Sequence, residues 1–173
     1  MKKITTLLFV LACMFACNSV LHAQTKFNVP ANYELVVKED YAKYEADIIT
    51  ASKWLEETDL DQDEDKRKEV NAFVMKWIIG SPTVSIGLSE KITNLYGKNS
   101  QLLVNYMAAY SAYWLQNKGT AVKSAAIKAG LVSMMKVYKK DIKIKKSKEM
   151  EKLIKLADEN KIDDYINENL QSL

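Results

Sequence analysis

The chain has 173 residues, enough for one domain with one core. Its formal charge is +3, and Arg67 is its only arginine. Specific phosphate and base recognition favours the bidentate guanidinium fork, so this lysine-dominated charge argues against nucleic acid as a partner.

The first residues read as an export signal. Lys2 and Lys3 form a positive start, residues 4–15 form an apolar run, and Leu21-His22-Ala23 ends in a small residue before Gln24. Cleavage there leaves a mature chain, periplasmic or secreted, whose net charge falls from +3 to +1. Two other fates compete with cleavage. Cys13 and Cys17 each follow an alanine, as a lipoprotein site requires, and an uncleaved run over residues 4–21 approaches the ~18 apolar residues that span a bilayer. A membrane association is expected only through one of these routes.

Removing the signal removes chemistry. Cys13, Cys17 and His22 are the only cysteines and histidine, and all three precede Gln24. The mature chain then has no disulfide, no Cys or His metal ligand, no haem-ligating His and no Ser-His-Asp or Cys-His nucleophile. No cofactor is expected.

Residues 24–38 form an irregular lead-in, because Pro30 lacks an N–H. Residues 39–58 predict one helix, with Tyr41, Tyr44, Ile48, Ala51, Ser52 and Leu55 recurring at three- and four-residue spacing. An acidic linker over residues 59–65 follows, with Asp61 or Asp63 placed to cap a helix over residues 64–79. Gly80-Ser81-Pro82 ends that helix. Residues 83–97 are ambiguous. A helix starting at Ser89 is preferred, since Gly87 inside a helix costs about 1 kcal/mol.

Residues 100–117 predict the central helix. Leu102, Leu103, Tyr106, Met107, Tyr110, Tyr113 and Trp114 make one stripe, and Val104, Ala108, Ser111, Ala112 and Leu115 make the other side small and mostly apolar. A helix without a polar face has neighbours all round. The link 117–119 returns the chain antiparallel into a helix over residues 120–140. Its Ala121, Ala125, Ala126, Ala129, Gly130 and Ser133 let another backbone come close. Shorter helices over residues 147–157 and 162–170 complete an all-α single domain over residues 24–173. An antiparallel helical bundle or a short helical array of five to six helices is expected. The hairpin at Gly119 invites comparison with tetratricopeptide repeats, but no second copy lies at the ~34-residue offset.

The strings Lys53-Trp54-Leu55-Glu56-Glu57-Thr58 and Lys76-Trp77-Ile78-Ile79-Gly80-Ser81-Pro82-Thr83-Val84 resemble small exported helical proteins of Bacteroidota, a group to which no function is attached. The resemblance implies export and an all-helical fold. It carries over no site residues.

Four features could carry chemistry. Asp59, Asp61, Asp63 and Asp65 match the alternating ligands of an EF-hand loop, but Glu64 stands where glycine makes the turn and Val70 where the bidentate glutamate belongs. The plainer reading is a solvated linker whose acids favour the next helix's N-terminus. Tyr106, Tyr110, Tyr113 and Trp114 are core by spacing, or line a pocket for a sugar or an apolar ligand, since buried Tyr needs polar partners. Nine lysines fall within residues 136–155, and Lys139, Lys140, Lys143, Lys145 and Lys146 form either a solvated face or a surface for an anionic lipid or polysaccharide. For catalysis, Gly-x-Ser-x-Gly and Ser-x-x-Lys contexts are absent, and a carboxylate pair from separate elements remains.

The expected function is therefore a non-enzymatic exported interaction module, presenting helix faces to a protein or an envelope polymer. A small-ligand carrier with an aromatic-lined pocket is the alternative, and an enzyme using carboxylates the third. A core with no disulfide and no metal makes a direct prediction. Thermal melts of the mature protein with and without reductant, and with and without EDTA, should superimpose. A fall of more than a few degrees in EDTA would return calcium to the acidic linker.

Overall fold

A non-helical strap leads into eight helices among the described residues. The computed structural model describes residues 25–171; the export segment, its cleavage site, Cys13 and Cys17 lie outside the described residues. The strap is held by aromatic rings. Phe27 is buried against Phe73 at 6.2 Å between centroids, and Tyr33 meets Phe73 edge-on at 4.8 Å.

The single helix expected over residues 39–58 is two. α1 (Lys38–Lys43) stops at Tyr44, whose φ of −105° and ψ of 8° leave the helical ladder, and α2 (Glu45–Glu57) restarts beyond it. Tyr44 gives its ring to the same aromatic nest, 6.1 Å from Phe73 and 6.3 Å from Tyr33. α3 (Glu64–Gly80) follows the acidic linker. Asp63 does occupy its N-cap, but in the left-handed region (φ 47°), and its side chain makes no capping bond. Glu64 and Asp65 supply the negative charge of the first turn instead.

Next come α4 (Glu90–Tyr96), α5 (Gln101–Gln116), α6 (Lys123–Lys139), α7 (Lys148–Asp158) and α8 (Ile162–Asn169). The count exceeds the expected five to six: the break at Tyr44 splits one helix, and the short segments at α4 and α8 each form a separate helix. The class is as expected: an all-helical single compact domain with no strand among the described residues.

α5 is the axis. Nine of its residues are buried, including Leu102, Tyr106 and Tyr110 on one side and Ala108, Ser111, Ala112 and Leu115 on the other. Its most extensive packing is with α6, and α2 covers another face. α8 lies against α6, and α4 against α7. The α5–α6 hairpin turns through Gly119 (φ 82°). Tyr106 and Gly130 sit equally far on either side of Lys118, and they touch. A Cβ on Gly130 would lie 2.5 Å from Tyr106 Cδ2 and 2.8 Å from the Tyr106 carbonyl oxygen.

The two glycines of the hairpin should therefore fail for different reasons. Gly130→Val puts branched carbon into a backbone oxygen that cannot swing away, and should cost at least ~2 kcal/mol by urea denaturation. Gly119→Ala meets nothing within 4 Å, so it should lose only the left-handed backbone penalty of about 1–2 kcal/mol. Gly119→Asn should recover most of that loss, whereas no small polar residue should rescue position 130.

Candidate functional site

One end of the molecule collects what the rest of it buries. At this end α3 and α5 finish and α1, α2 and α6 begin. The Trp77 indole donates to the Tyr41 carbonyl at 2.9 Å, and the Tyr41 ring packs over Gly80 at the end of α3. An ion pair between Lys118 and Glu45 ties the α5–α6 turn to the start of α2. Five large apolar side chains are exposed among the described residues: Val36 (80%), Ile79 (77%), Val122 (56%), Val37 (52%) and Leu88 (44%). All five belong to this end. Val36 and Val37 precede α1, Ile79 ends α3, Leu88 precedes α4 and Val122 is the N-cap residue of α6.

A cleft of about 400 Å³ opens among them, lined by the non-helical segment 81–87 together with Tyr110, Trp114 and Lys123. Tyr110 and Trp114 stack with centroids 6.1 Å apart and planes within 6°. The segment is pinned by buried Val84. The Ser81 hydroxyl accepts from the Thr83 and Val84 N–H groups, both at 3.3 Å. On the other flank, the Asp40 carboxylate accepts from the Val36 N–H at 3.1 Å and the Val37 N–H at 3.0 Å, and pairs with Lys43 at 2.8 Å. Asp40 thus holds the exposed valines in place.

The four aromatic residues expected to share a pocket divide three ways. Tyr110 and Trp114 meet at the cleft. Tyr106 is fully buried in the α5–α6 contact, its hydroxyl has no hydrogen-bond partner, and burial raises its pKa. Tyr113 faces a separate, more open groove of about 560 Å³ between α2, α5 and α6, beside Ile49, Ala112 and Val132. Lys123 and the segment 81–87 are cleft residues that lie outside the sites the sequence marks. The irregular reading of residues 83–88, between Pro82 and Ser89, was the available signal for the segment; nothing local marks Lys123.

The lysine segment is largely spent within the protein. Lys136 pairs with Glu56 at 2.8 Å, Lys139 with Asp158 at 3.1 Å and Lys146 with Asp141 at 2.8 Å. Lys140 reaches Asp59 at 3.0 Å and the Glu57 carbonyl at 2.6 Å, and Lys143 pairs with Glu64. Lys145 has no ion pair among the described residues; its backbone N–H donates to the Asn99 side chain at 2.8 Å. The acidic linker is engaged from its other side. Asp59 meets Lys140, Asp65 meets Lys68 at 2.8 Å, and Asp61 and Asp63 point into solvent. Among the described residues, no group of three or more potential ligands is gathered for a metal ion. Asp40 is the one buried carboxylate in that same span, so no buried acid pair is assembled.

No family model matches this chain, and no curated protein or solved structure matches it.

The flank that carries Val36 and Val37 should be sensitive to acid. The hydrogen bond from Lys43, then those from the Val37 and Val36 N–H groups, draw the Asp40 pKa down to about 2. A folded pKa below the unfolded value gives stabilisation that is complete above pH ~4 and is lost as pH falls toward 2. Amide exchange at Val36 and Val37 should accelerate over that window. Asp40→Asn should be already fast at pH 6 and show no such step.

Proposed function

We propose that this chain is a non-enzymatic, exported interaction module that meets a protein partner through the apolar end described above. One observation carries the reading. Five exposed large apolar side chains gather at a single end, around a cleft, and no other large apolar side chain among the described residues is exposed. Isolated exposed apolar residues are ordinary, but their concentration on one face marks a contact surface. The lysine segment supports the same choice by elimination, since four of its five candidate residues already face acids. Any one exposed pair contributes only about 0–1 kcal/mol, yet an anionic polymer would have to compete with all of them.

The carrier reading keeps one specific support, the Tyr110–Trp114 stack on the cleft wall. Its volume is within the ~300–1,000 Å³ of small-molecule sites. The enzyme reading has no assembled acid pair behind it.

Photocrosslinking separates these readings. A photoreactive residue replaces Ile79, Val122 or, at the opposite end of α6, Lys139, in the native host. The expected result is one protein adduct of the same mass from positions 79 and 122 and none from 139. Adducts from 139 alone would move the contact surface to the lysine face. No adduct anywhere, with a small molecule co-purifying in native mass spectrometry, would favour the carrier.

A further inference from the structure

We infer that the cleft takes a peptide segment of the partner, seating an apolar or aromatic side chain against Trp114, which buried Tyr110 backs, and a carboxylate against Lys123. The inference rests on reading this end as the contact surface and names the chemistry of what binds there.

The first support is the backbone of the cleft wall. Among the described residues, the N–H groups of Ser85, Ile86, Gly87 and Leu88 donate to nothing, and the carbonyls of residues 82–88 accept nothing. Backbone donors and acceptors are obligatory hydrogen-bonding groups, so water must serve this run in the free protein. A run that offers both donors and acceptors is complementary to another peptide backbone. A simple apolar acid would use the donors and leave the acceptors unpaired. Buried Val84 fixes one end of the run, and Gly87 adds no side chain to keep a second backbone away.

The second support is charge. Lys123 has no ion-pair partner among the described residues, as is also true of Lys98, Lys145, Lys148, Lys152 and Lys155, but of these it alone lines the cleft. It opens α6, a helix of 17 residues whose first turn holds no acid and whose N-cap residue, Val122, offers no capping side chain. The positive end of the helix and the ammonium therefore act together on the same side of the cleft. Both favour an anion, and a partner's C-terminal carboxylate or an acidic side chain supplies one.

The third support is apolar area beyond the cleft itself. Leu88 and Val122 flank it and stay exposed, which suits a ligand that continues past the pocket.

The test is a titration of the ¹⁵N-labelled protein with N-acetyl-Leu-Phe as the free acid, its C-terminal amide, the acid methylated on both peptide nitrogens, and 3-phenylpropionate. The acid should shift the amide signals of residues 85–88 and the Trp114 indole. It should bind about three- to five-fold tighter than the amide, the scale of an exposed charge pair. That preference should vanish in Lys123→Gln and survive in Lys123→Arg. Methylation should weaken binding by about ten-fold, the loss of two backbone hydrogen bonds. If 3-phenylpropionate binds as tightly as the dipeptide acid, the cleft is a small-acid pocket and the peptide inference is wrong. If the acid preference persists in Lys123→Gln, or if no peptide shifts residues 85–88 at millimolar concentration, it is likewise wrong. None of these failures touches the crosslinks from Ile79 and Val122, which decide the contact end independently.

Discussion

The contact between Gly130 and the Tyr106 backbone sets the geometry on which the rest depends. A methyl group at position 130 would stand 2.8 Å from a carbonyl oxygen, so α5 and α6 can approach this closely only because the residue is glycine. That approach brings Trp114, near the end of α5, and Lys123, at the start of α6, to one cleft. It also has a cost. The Tyr106 hydroxyl, the Asn105 amide nitrogen and the Ser133 hydroxyl are buried without hydrogen-bond partners. An unmet buried polar group costs about 1–3 kcal/mol, so apolar packing along the hairpin must outweigh several such penalties. Ala126, Ile127, Leu131 and Met134, all buried on α6, supply that packing.

Charge works differently at the opposite end. Arg67 is buried with no carboxylate in contact; it donates to the Leu55 carbonyl at 3.2 Å and to the Thr58 carbonyl, and it lies over the Trp54 ring at 5.4 Å. It meets the unpaired carbonyls that α2 leaves at its C-terminus, where a cation is favoured. The lysines then close over the same region, with Lys140 on Glu57 and Asp59 and Lys143 on Glu64. The acidic linker and the lysine segment, which read as two opposed patches, meet across the fold at two pairs, Lys140 with Asp59 and Lys143 with Glu64. Each exposed pair is weak, but together they fix the linker beside the α6–α7 junction.

Helix class and most helix positions were legible because they depend on local periodicity. The stripe of Ile48, Ala51 and Leu55 and the two-sided burial of α5 need only spacing to be seen. The break at Tyr44 was not legible, since the residue fits a helix by propensity and leaves it to join rings at Tyr33 and Phe73. The lysine partners were hidden for the same reason: Lys136 and Glu56 lie 80 residues apart. The aromatic quartet shows where a helical wheel stops. Spacing placed Tyr106, Tyr110, Tyr113 and Trp114 on one stripe, but a stripe that wide meets a core, a cleft and a groove at once. Only the neighbours decide which ring goes to which.

Junctions elsewhere in the fold are tied by polar side chains. Arg67 ties α2 to α3. Asn99 donates to the Lys145 carbonyl at 2.7 Å and accepts from the Lys145 N–H at 2.8 Å, joining the α4–α5 turn to the α6–α7 turn. Tyr138 accepts from the Ser147 N–H at 3.0 Å and donates to Glu151 at 2.8 Å, closing the link into α7. The α3–α4 junction is tied only at its start, through Ser81 and buried Val84, and then runs untied to Ser89. The strap before α1 also leaves backbone to water, but Phe27, Tyr33 and Leu35 press it onto the core. The α3–α4 segment instead passes beside a cleft with an aromatic stack and an unpaired ammonium. The fold spends polar side chains on its other turns and leaves this one open next to its exposed apolar residues, so the backbone groups of that wall stay unpaired within the described residues.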